Sequence, residues 1–593
     1  MLQAKRYTSG ATMFRLLFYI LALLILLYSP AQAQITKSSV SQESLSTSAG
    51  APAGASGAPA VAVNGKYLVF ESEASNLVLN DSNKAVDVYL RDLTSRTISR
   101  LSISSSAVEA NGPSSNPSIS PVTPEGFFAV AFSSAATNLS SIQGQQGAQN
   151  IFVRIPGISF TEVISYNSSV ELGNNNSDSP SLAVLADPKR LLVTFSSEAS
   201  NLISIDNNRA KDIFLATLTV PASSAVFNPA TALKMIKITN SSSGGDSNGD
   251  SDAPKISGDG RYIVFSSLAT NLTENVTTSW QQIFRYTIKT GKTELVSKSA
   301  SGVLADADCQ APVVSFSGRF VAYTSKATNL VSNPVIGKSA LVLHDLIKGT
   351  SSRINANELA VASTGDAATP AISANGRFVT FSDSGSNLVS DDLNSLADVF
   401  VKDTDSLAIS RLSVGPTAEA NAVSEITSVA GSSFNSLIGS IFFKSFATNL
   451  TSSSTSLGAG DIFSSAVTLA APQLKQGTRL EAPADVVVVG KRSVISLQEF
   501  SFPTALVSSQ PQLKRSNSIT VRAASQVVYD VRIQGKGAAK RVRQQLLAKR
   551  NTVTSSRLKP GVYTTRYRVL ATKSGKTVSK TSFSPRQRFE VSG

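Results

Sequence analysis

Seven copies of one short motif constrain the fold of this chain more than any other feature of its sequence. The copies read FESEASNL, FSSAATNL, FSSEASNL, FSSLATNL, YTSKATNL, FSDSGSNL and FKSFATNL. Their asparagines are Asn76, Asn138, Asn201, Asn271, Asn329, Asn387 and Asn449. Successive asparagines are 58 to 70 residues apart. A period of this length, built from short alternating segments, indicates a β-propeller or a repeat array.

One repeat shows how each unit is predicted to fold. Residues 254–257, 261–265, 282–286 and 293–297 are strand-like and are separated by turn residues. Gly260 lies in the first turn, where glycine adopts positive φ without strain. Four antiparallel strands joined by tight turns form one propeller blade. The chain is therefore predicted to be all-β, with one blade for each copy of the motif.

The repeated residues are interpreted as structural. The aromatic residue that begins each copy is predicted to pack between neighbouring blades. The Asn-Leu pair is predicted to turn the chain, because asparagine tolerates left-handed φ and bonds its own backbone. A proline at the start of a strand removes no ladder hydrogen bond. Five prolines are therefore predicted to open the first strands: Pro117, Pro180, Pro254, Pro312 and Pro370.

The combined pattern resembles a known repeat. Pro-x-Ile-Ser-x-Asp/Asn-Gly-Arg-Tyr/Phe, an apolar run ending in Phe, Ala-Thr-Asn-Leu and Asp-Val-Phe-Val are similar to the TolB-type, WD40-like β-propeller repeat of bacterial envelope proteins. The resemblance covers residues 58–467. It implies a propeller and gives no activity. TolB has six blades whereas this chain has seven copies, so seven blades are predicted, with six or eight as the alternatives.

The two ends of the repeat region predict how the ring closes. The seventh copy has a third strand at Asp461-Ile-Phe463 but no clear fourth strand before Pro472. Residues 35–41, before the first copy, resemble the fourth strand at residues 98–104. We therefore expect residues 35–41 to complete the seventh blade, which hides two sheet edges. The propeller domain is predicted to span residues 34–472.

The first 33 residues have the three-part pattern of a secretory signal peptide. Basic residues precede an apolar run from Leu16 to Tyr28, and Ala31-Gln32-Ala33 offers a cleavage site before Gln34. The apolar run is shorter than the ~20 residues of a membrane span. The mature protein is therefore predicted to be secreted or periplasmic, with no transmembrane anchor after cleavage; an uncleaved anchor is the alternative. Cys309 is the single cysteine, which excludes an intrachain disulfide.

Residues 473–593 differ from the rest in charge. They hold 23 Lys and Arg against 5 Asp and Glu, a net charge of +18, whereas residues 34–472 have a net charge of −7. Several strand-like segments predict an immunoglobulin-like β-sandwich. Lys559-Pro-Gly-Val-Tyr563, followed by Tyr567-Arg-Val, resembles fibronectin type III-like modules.

The positive charge of this module predicts an anionic polymer as a partner, such as envelope polysaccharide or lipid head groups. Docking onto the acidic propeller and a merely solvated surface are the alternatives. Nucleic acid is disfavoured, because the chain is predicted to be exported and aromatic residues suited to base stacking are sparse along the basic run.

Three copies carry Asp-x-Asn-x-x-x-Asp before the third strand, a candidate calcium site. Clustered carboxylate and amide oxygens are the ligands that calcium prefers. Asp and Asn are also good turn residues, so a metal-free turn is the alternative. Asp246-Ser-Asn-Gly-Asp250-Ser-Asp252 has the same ambiguity. The candidate ligands are Asp81, Asn83 and Asp87, Asp206, Asn208 and Asp212, and Asp392, Asn394 and Asp398.

No catalytic residue and no organic cofactor are predicted. Gly245-Asp-Ser247-Asn-Gly249 has the letters of a nucleophile elbow, but that motif acts only between a strand and a helix. The single histidine, His344, lies in a predicted strand. The chain has no phosphate loop, zinc motif or dinucleotide fingerprint.

The sequence therefore predicts a non-enzymatic binding or scaffold protein of the cell envelope. Its propeller face would bind a protein or a glycan, and its basic module would add electrostatic attachment. The alternative is a carbohydrate-active enzyme, a glycosidase or lyase, that uses carboxylates of the propeller.

Overall fold

The computed structural model describes most of the repeat region and the strands that follow it. The described residues are 35–469, except 47–49, 143–146, 186–189, 221–226, 275, 432–437 and 453–458, together with nine strands between Val488 and Val591. The predicted signal peptide, residues 1–33, lies outside them. The repeat region forms one compact unit, Ile35–Leu469.

The first four blades are four-stranded antiparallel sheets with the strands in sequential order. Blade one contains β3 (Ser56–Val61), β4 (Tyr67–Ser72), β5 (Asp87–Asp92) and β6 (Ile98–Arg100). Blade two contains β7 (Ser114–Ile119), β8 (Val130–Ser134), β9 (Asn150–Ile155) and β10 (Phe160–Val163). Blade three contains β11 (Ser177–Leu185), β12 (Arg190–Ser197), β13 (Asp212–Thr219) and β14 (Leu233–Lys237). Blade four contains β15 (Ser251–Ile256), β16 (Tyr262–Ser267), β17 (Gln282–Thr287) and β18 (Lys292–Leu295).

The remaining blades continue this pattern. Blade five contains β19 (Cys309–Val314), β20 (Phe320–Ser325), β21 (Ala340–Asp345) and β22 (Thr350–Arg353). Blade six contains β23 (Ala367–Ile372), β24 (Phe378–Asp383), β25 (Asp398–Asp403) and β26 (Ile409–Arg411). Blade seven contains β27 (Ser424–Gly431), β28 (Ile438–Ser445), β29 (Asp461–Leu469) and, from the N-terminal end of the described chain, β1 (Ile35–Lys37) and β2 (Ser41–Gln42). The helical elements of the described residues are a 3-10 turn, Pro156–Ile158, and a one-turn α-helix, Pro229–Ala232.

The seven sheets form a closed ring, which confirms the seven-bladed all-β prediction. The first strand of every blade contacts the first strands of both neighbouring blades. The buried apolar clusters combine residues of adjacent blades, as the sequence predicted for the aromatic residues. Phe265 of β16 stacks on Phe284 of β17 with ring centroids 5.8 Å apart, and five other blades have an equivalent pair.

The N-terminal segment closes the ring, as the sequence predicted. Strand β1 pairs with β29 in antiparallel register, and β2 pairs with the same strand nearer its start. Glu43, which follows β2, is 2% exposed and forms ion pairs with Arg91 at 3.2 Å and Arg96 at 2.7 Å. Because both arginines belong to blade one, this carboxylate holds the last blade to the first.

The seven repeated asparagines fasten each blade to the loop that leads into it. Asn271 Nδ2 donates to Asp246 O at 2.9 Å, and Asn271 Oδ1 accepts from Asn248 N at 3.1 Å. Six asparagines make this pair of bonds, and Asn329 makes only the donor bond. None of the seven has positive φ. The structural role is confirmed, but it comes from side-chain bonds to a distant loop and not from a left-handed turn.

The prolines lie within the first strands, so the prediction that they open them is wrong. Pro254 is the fourth residue of β15 and follows Ala253, whose φ is +53°. The register between β15 and β16 shifts between Asp252 and Lys255, which marks a β-bulge. The bulge leaves no ladder position for a proline N–H, so the proline is tolerated there. The glycine turn is confirmed, since Gly260 has a φ of +69°.

The direction of the strands gives the propeller two different faces. The connections from second to third strand and from each blade to the next lie at one end of the sheets, here the long-loop face. The connections from first to second and from third to fourth strand lie at the other end, here the short-turn face. The asparagine motif and its partner loop are both on the long-loop face.

The C-terminal residues include nine described strands: β30 (Val488–Val489), β31 (Arg492–Ser496), β32 (Ser518–Val521), β33 (Val527–Gly535), β34 (Arg543–Leu546), β35 (Thr552–Ser555), β36 (Gly561–Lys573), β37 (Lys576–Lys580) and β38 (Gln587–Val591). Strand β36 pairs antiparallel with β33, β37 and β38, whereas β32 and β34 pair in parallel. These pairings do not establish the predicted β-sandwich. No helix in the described part of the chain is both long and apolar enough to span a membrane.

Candidate functional site

The Asp-x-Asn-x-x-x-Asp loops of blades one, three and six surround a basic side chain of the fourth strand. In blade six Arg411 Nη1 lies 3.1 Å from Asp392 Oδ1 and 3.2 Å from Asp398 Oδ2. It also lies 3.0 Å from Oε2 of Glu419, which comes from the loop to the next blade. The Arg411 side chain is 2% exposed. We call this basic residue with its three acids a rim cluster, because it joins the outermost strand to the long-loop face.

Blades one and three repeat the arrangement. In blade one Arg100 Nη1 lies 3.3 Å from Asp81 Oδ1 and 3.1 Å from Asp87 Oδ2, and it contacts Glu109. In blade three Lys237 Nζ lies 3.1 Å from Asp206 Oδ1, 3.2 Å from Asp212 Oδ2 and 2.6 Å from Asp246 Oδ1. The structure therefore brings together the aspartates that the sequence singled out, and it adds a cation at the centre of each set.

The motif asparagines turn their oxygens away from this centre. Asn394 Nδ2 donates to Asp398 Oδ2 at 3.0 Å, while its Oδ1 accepts from Leu396 N at 2.9 Å. Asn83 and Asn208 have the same orientation. Calcium is held by several oxygen ligands, and here a guanidinium or an ammonium already contacts the carboxylates. The calcium site stays a prediction, in which the ion has to compete with a built-in cation.

The rim clusters shift the protonation of their acids in opposite directions. Burial raises the pKa of Asp392 to about 6, although Arg411 opposes this. Burial also raises the pKa values of Asp87 and Asp398. At Glu109 the hydrogen bonds from Ser82 and Arg100 outweigh burial and hold the pKa at about 2. The clusters thus contain carboxyls whose pKa is raised and carboxyls whose pKa is lowered.

The candidate hydrolase residues lie far apart in the ring and have structural partners. Ser247, in the loop between blades three and four, is 2% exposed, and its hydroxyl donates to Asp212 Oδ1 at 2.9 Å. His344, in β21 of blade five, is 3% exposed and has Ser351 Oγ 3.0 Å from Nδ1. Burial lowers the pKa of His344. Among the described residues these two form no catalytic pair.

A polar pocket opens on the long-loop face at blade three. Its volume is about 450 Å³. The lining residues are Asn174, Asn175, Glu198, Ser200, Arg209, Lys211 and Asp250. They come from the loop into blade three, the motif of its second strand, the loop before its third strand and the loop into blade four. The pocket thus offers amide, hydroxyl, acidic and basic groups from four separate segments.

A hydrogen-bonded polar row crosses the first strands near the centre of the ring. Asn116 N donates to Glu71 Oε2 at 2.8 Å, and Asn116 Nδ2 donates to Asp178 Oδ1 at 2.9 Å. These bonds connect blades one, two and three. Burial raises the pKa of Glu71, while the bond from Asn116 acts against the shift.

The same row continues towards the pocket. Lys255 has a lowered pKa because it is buried, and the nearby Asp178 and Asp252 oppose the shift. Asp252 Oδ2 accepts from Lys211 Nζ at 2.8 Å, and Lys211 lines the pocket. We call the row from Glu71 to Lys211 the channel arc. It connects the centre of the ring with the pocket.

Sequence reasoning missed the basic residues of the rim clusters and the residues of the pocket. Arg100 and Arg411 stand thirteen residues after Asp87 and Asp398, within the repeated Ile-Ser-Arg-Leu-Ser segments. The shared spacing of acid and base was therefore a signal in the sequence. The pocket gave no such signal, because its residues come from four loops of unrelated sequence.

Comparison with protein-family models and with curated proteins gives no match. Among solved structures, a putative TolB from Agrobacterium tumefaciens matches with a TM-score of 0.30 and 18% identity, over 51% of this chain and 80% of that chain. A Trypanosoma rangeli sialidase in complex with the inhibitor DANA matches with a TM-score of 0.30 and 9% identity, over 73% of this chain and 59% of that chain. These similarities are too low to assign the chain to a family.

Proposed function

We propose that this protein is an exported, non-enzymatic binding protein of the cell envelope. Its propeller binds a polar ligand, a glycan or a polar protein surface, on the long-loop face. The pocket at blade three is the observation that carries this proposal. Ligand sites are concave and present a few converging polar groups, and this pocket has both properties.

The chemistry of the pocket suits recognition by hydrogen bonds. Arg209 and Lys211 supply donors and Glu198 and Asp250 supply acceptors. The Asn174 side chain is bonded to Ser200 through both Nδ2 and Oδ1, which holds that wall of the pocket in place. Asp250 Oδ1 also accepts from Lys211 N at 2.9 Å, so the backbone of the blade fixes its position. A site built from opposite charges and amides favours a ligand rich in hydroxyl and amide groups over an apolar one.

Removal of one pocket cation tests the proposal. We expect Arg209→Ala to weaken binding of the full chain to envelope glycans or proteins by about tenfold, the loss of one charged hydrogen bond. The matched control is Lys289→Ala, which removes an exposed cation from the short-turn face. If Arg209→Ala binds as tightly as Lys289→Ala, the ligand does not bind in the pocket at blade three.

We further propose that residues 473–593 form the predicted basic β-sandwich and attach the protein to an anionic polymer. The net charge of +18 supports this. Binding of the full chain to envelope fractions should fall steeply as salt rises, because exposed charges are screened. A chain that ends at residue 472 should lose the salt-sensitive part of this binding and keep the part that does not depend on salt. Salt-independent binding of the full chain would contradict the attachment role.

A second candidate function is a carbohydrate-active enzyme that uses the channel arc. Glu71, with its raised pKa, and Asp178 are carboxyls linked by one asparagine, and glycosidases pair a protonated with an ionised carboxyl. In that case the protein should release reducing ends from envelope polysaccharides, and Glu71→Gln should abolish the release. Binding without turnover favours the first function.

A further inference from the structure

The fourth-strand position that Arg411 occupies in blade six is here called the rim position. The residue at the rim position and the charges around it differ between blades, and one blade points to a second site. In each blade this position faces the same residue of the third strand, as the strand register shows. It carries a cation with three acids in blades one, three and six. Blades two and four have Val163 and Leu295 there, and blade seven has Gln42. In these six blades a cation occurs only where acids surround it.

Blade five is the exception. It keeps the cation, Arg353, which faces Val342 of the third strand. The positions of the three acids hold Pro334, Ala340 and Ala362. The structure shows that these positions correspond to those of the acids in blade six. Ala340 is the first residue of the third strand in blade five, as Asp398 is in blade six. Likewise, Asn387 Nδ2 donates to Ala362 O as Asn449 Nδ2 donates to Glu419 O.

The guanidinium of Arg353 lacks an ionic partner among the described residues. Nη1 donates to Asn333 O at 3.2 Å and Nε donates to Asn355 Oδ1 at 3.1 Å. Nη2 is buried and has no hydrogen-bond acceptor in the described structure. In blade six the corresponding guanidinium contacts the three carboxylates of its rim cluster and, at 3.7 Å, the exposed carboxylate of Asp391, as well as the carbonyl of Asp391. Arg353 in blade five therefore keeps the contact with a loop carbonyl, that of Asn333, and lacks the contacts with carboxylates that Arg411 makes.

Burial lowers the pKa of Arg353 and the charge of Asp383 opposes this shift, but Asp383 does not complete the site. Asp383, from the second strand of blade six, accepts from Asn355 Nδ2 at 3.0 Å, Ser363 Oγ at 2.5 Å and Gly385 N at 2.8 Å. Its carboxylate is therefore directed to blade six and to the loop, and it forms no ion pair with Arg353 in the described residues. The Arg353 side chain as a whole is half-buried, and a guanidinium that no described carboxylate neutralises is a strong binder of carboxylates.

We propose that Arg353 is the centre of an anion site that takes a carboxylate-bearing ligand. The rim clusters of blades one and six show the chemistry that such a guanidinium accepts at this position, namely carboxylate oxygens about 3 Å from its nitrogens. Replacement of three acidic side chains by two alanines and a proline removes the internal competitors. The site is on the long-loop face, two blades from the pocket, and it is independent of the pocket's ligand.

Binding of acetate and of an oligogalacturonate to the full chain tests this proposal. Both are compared with chloride at constant ionic strength, by calorimetry and by the midpoint of thermal unfolding. We expect both carboxylates to bind and raise the midpoint, and Arg353→Met to weaken binding at least tenfold. Lys348→Met, which removes a cation with a 68% exposed side chain from the same blade, is the control and should bind normally.

A second variant restores the internal acid. Ala362→Glu places a carboxylate where Glu419 contacts Arg411 in blade six, so it should raise the unfolding midpoint and abolish the response to acetate. Tighter binding of oligogalacturonate than of acetate assigns the site to an acidic glycan, and equal binding assigns it to small carboxylates. Unchanged acetate binding in Arg353→Met, or a response shared with chloride, would overturn the proposal.

Discussion

Blades five and six are neighbours with the same backbone and opposite charge at the rim. Both place an arginine at the end of the outer strand, and both arginines donate to a backbone carbonyl of the preceding loop. In blade six Arg411 is enclosed by the three carboxylates of its rim cluster, whereas Arg353 in blade five forms no ion pair with a carboxylate in the part of the chain that the structure describes. The comparison teaches that the blade architecture forms with or without acids around the rim arginine, so the side chains at this position can differ between blades.

The conserved part of the two blades lies closer to the ring centre. Asn329 of blade five and Asn387 of blade six both bond the loop that enters their blade. The second-strand aromatics Tyr323 and Phe381 are both fully buried. The core and the bonds from the asparagine to the loop are thus repeated in both blades, whereas the acids around the rim arginine are not.

The largest predicted effect is the loss of the rim cation in blade six. Arg411→Met leaves three carboxyls without their shared partner, two of them almost fully buried, and should lower the free energy of unfolding by about 3–5 kcal/mol. Arg353→Met removes the hydrogen bonds from Nε to Asn355 and from Nη1 to Asn333 O, together with a buried Nη2 that has no acceptor in the described structure, and should change it by about 1 kcal/mol or less. Chemical denaturation of both variants measures the difference.

Arg411→Lys is a useful control, because Lys237 occupies this position in blade three and it should recover part of the loss. Equal destabilisation by Arg411→Met and Arg353→Met would break the comparison between the two rims.

The next effect concerns the asparagine fastening. Asn387→Ala removes a donor bond to Ala362 O and an acceptor bond from Thr364 N, and should destabilise the protein by about 2 kcal/mol. Asn329→Ala removes one bond, to Leu304 O, together with a buried Oδ1 that has no hydrogen-bond partner among the described residues, and should cost about 1 kcal/mol. Thermal unfolding in the same buffer compares the two. A larger loss for Asn329→Ala would show that the hydrogen-bond geometry does not govern this motif.

The last effect is a pH dependence that Asp392 of blade six contributes. Burial raises the pKa of Asp392 to about 6, while an unfolded Asp has a pKa of about 3.9. The folded form therefore binds this proton more tightly, and the associated stability is full below pH ~4 and is lost as the pH rises through ~6. Asp392→Asn lacks this contribution. The unfolding midpoint of the wild type, relative to Asp392→Asn, should fall between those pH values.

Leu393→Ala, an exposed apolar change in the same loop, serves as the control and should give a constant difference from the wild type. A flat difference for Asp392→Asn as well would show that Asp392 ionises normally in the folded protein.

The repeat and the strand pattern were sufficient to predict the blades, their number and the closing segment at residues 35–41. Local sequence determines these features, since each blade is a meander of neighbouring strands. The role of Asn271 was only half predicted, because its partners Asp246 and Asn248 lie more than twenty residues away in sequence. The prolines were misplaced, because a bulge inside a strand leaves no mark that distinguishes it from a strand start.

The candidate site was less predictable than the fold. The aspartates of the motif were predicted to lie together, but their shared base was not, because it stands on the next strand, thirteen residues after the last aspartate of the motif in blades one and six. The pocket forms where four segments that are separate in sequence lie close together in the fold. No local sequence pattern predicts that they do. Arg353 becomes a candidate site only when the blades are compared, because the acids that surround the arginine in blade six are replaced by uncharged residues in blade five.

Removal of acids from the rim of blade six tests the central claim most directly. Asp398→Ala combined with Glu419→Ala leaves Arg411 with Asp392 and the exposed Asp391, and it brings this rim closer to that of blade five. The measurement is the calorimetric number of acetate sites in the full chain, with Arg353→Met in the background to silence blade five. The account predicts that an acetate site appears in blade six. The absence of acetate binding in this variant would contradict the claim that internal carboxylates are what separate the two rims.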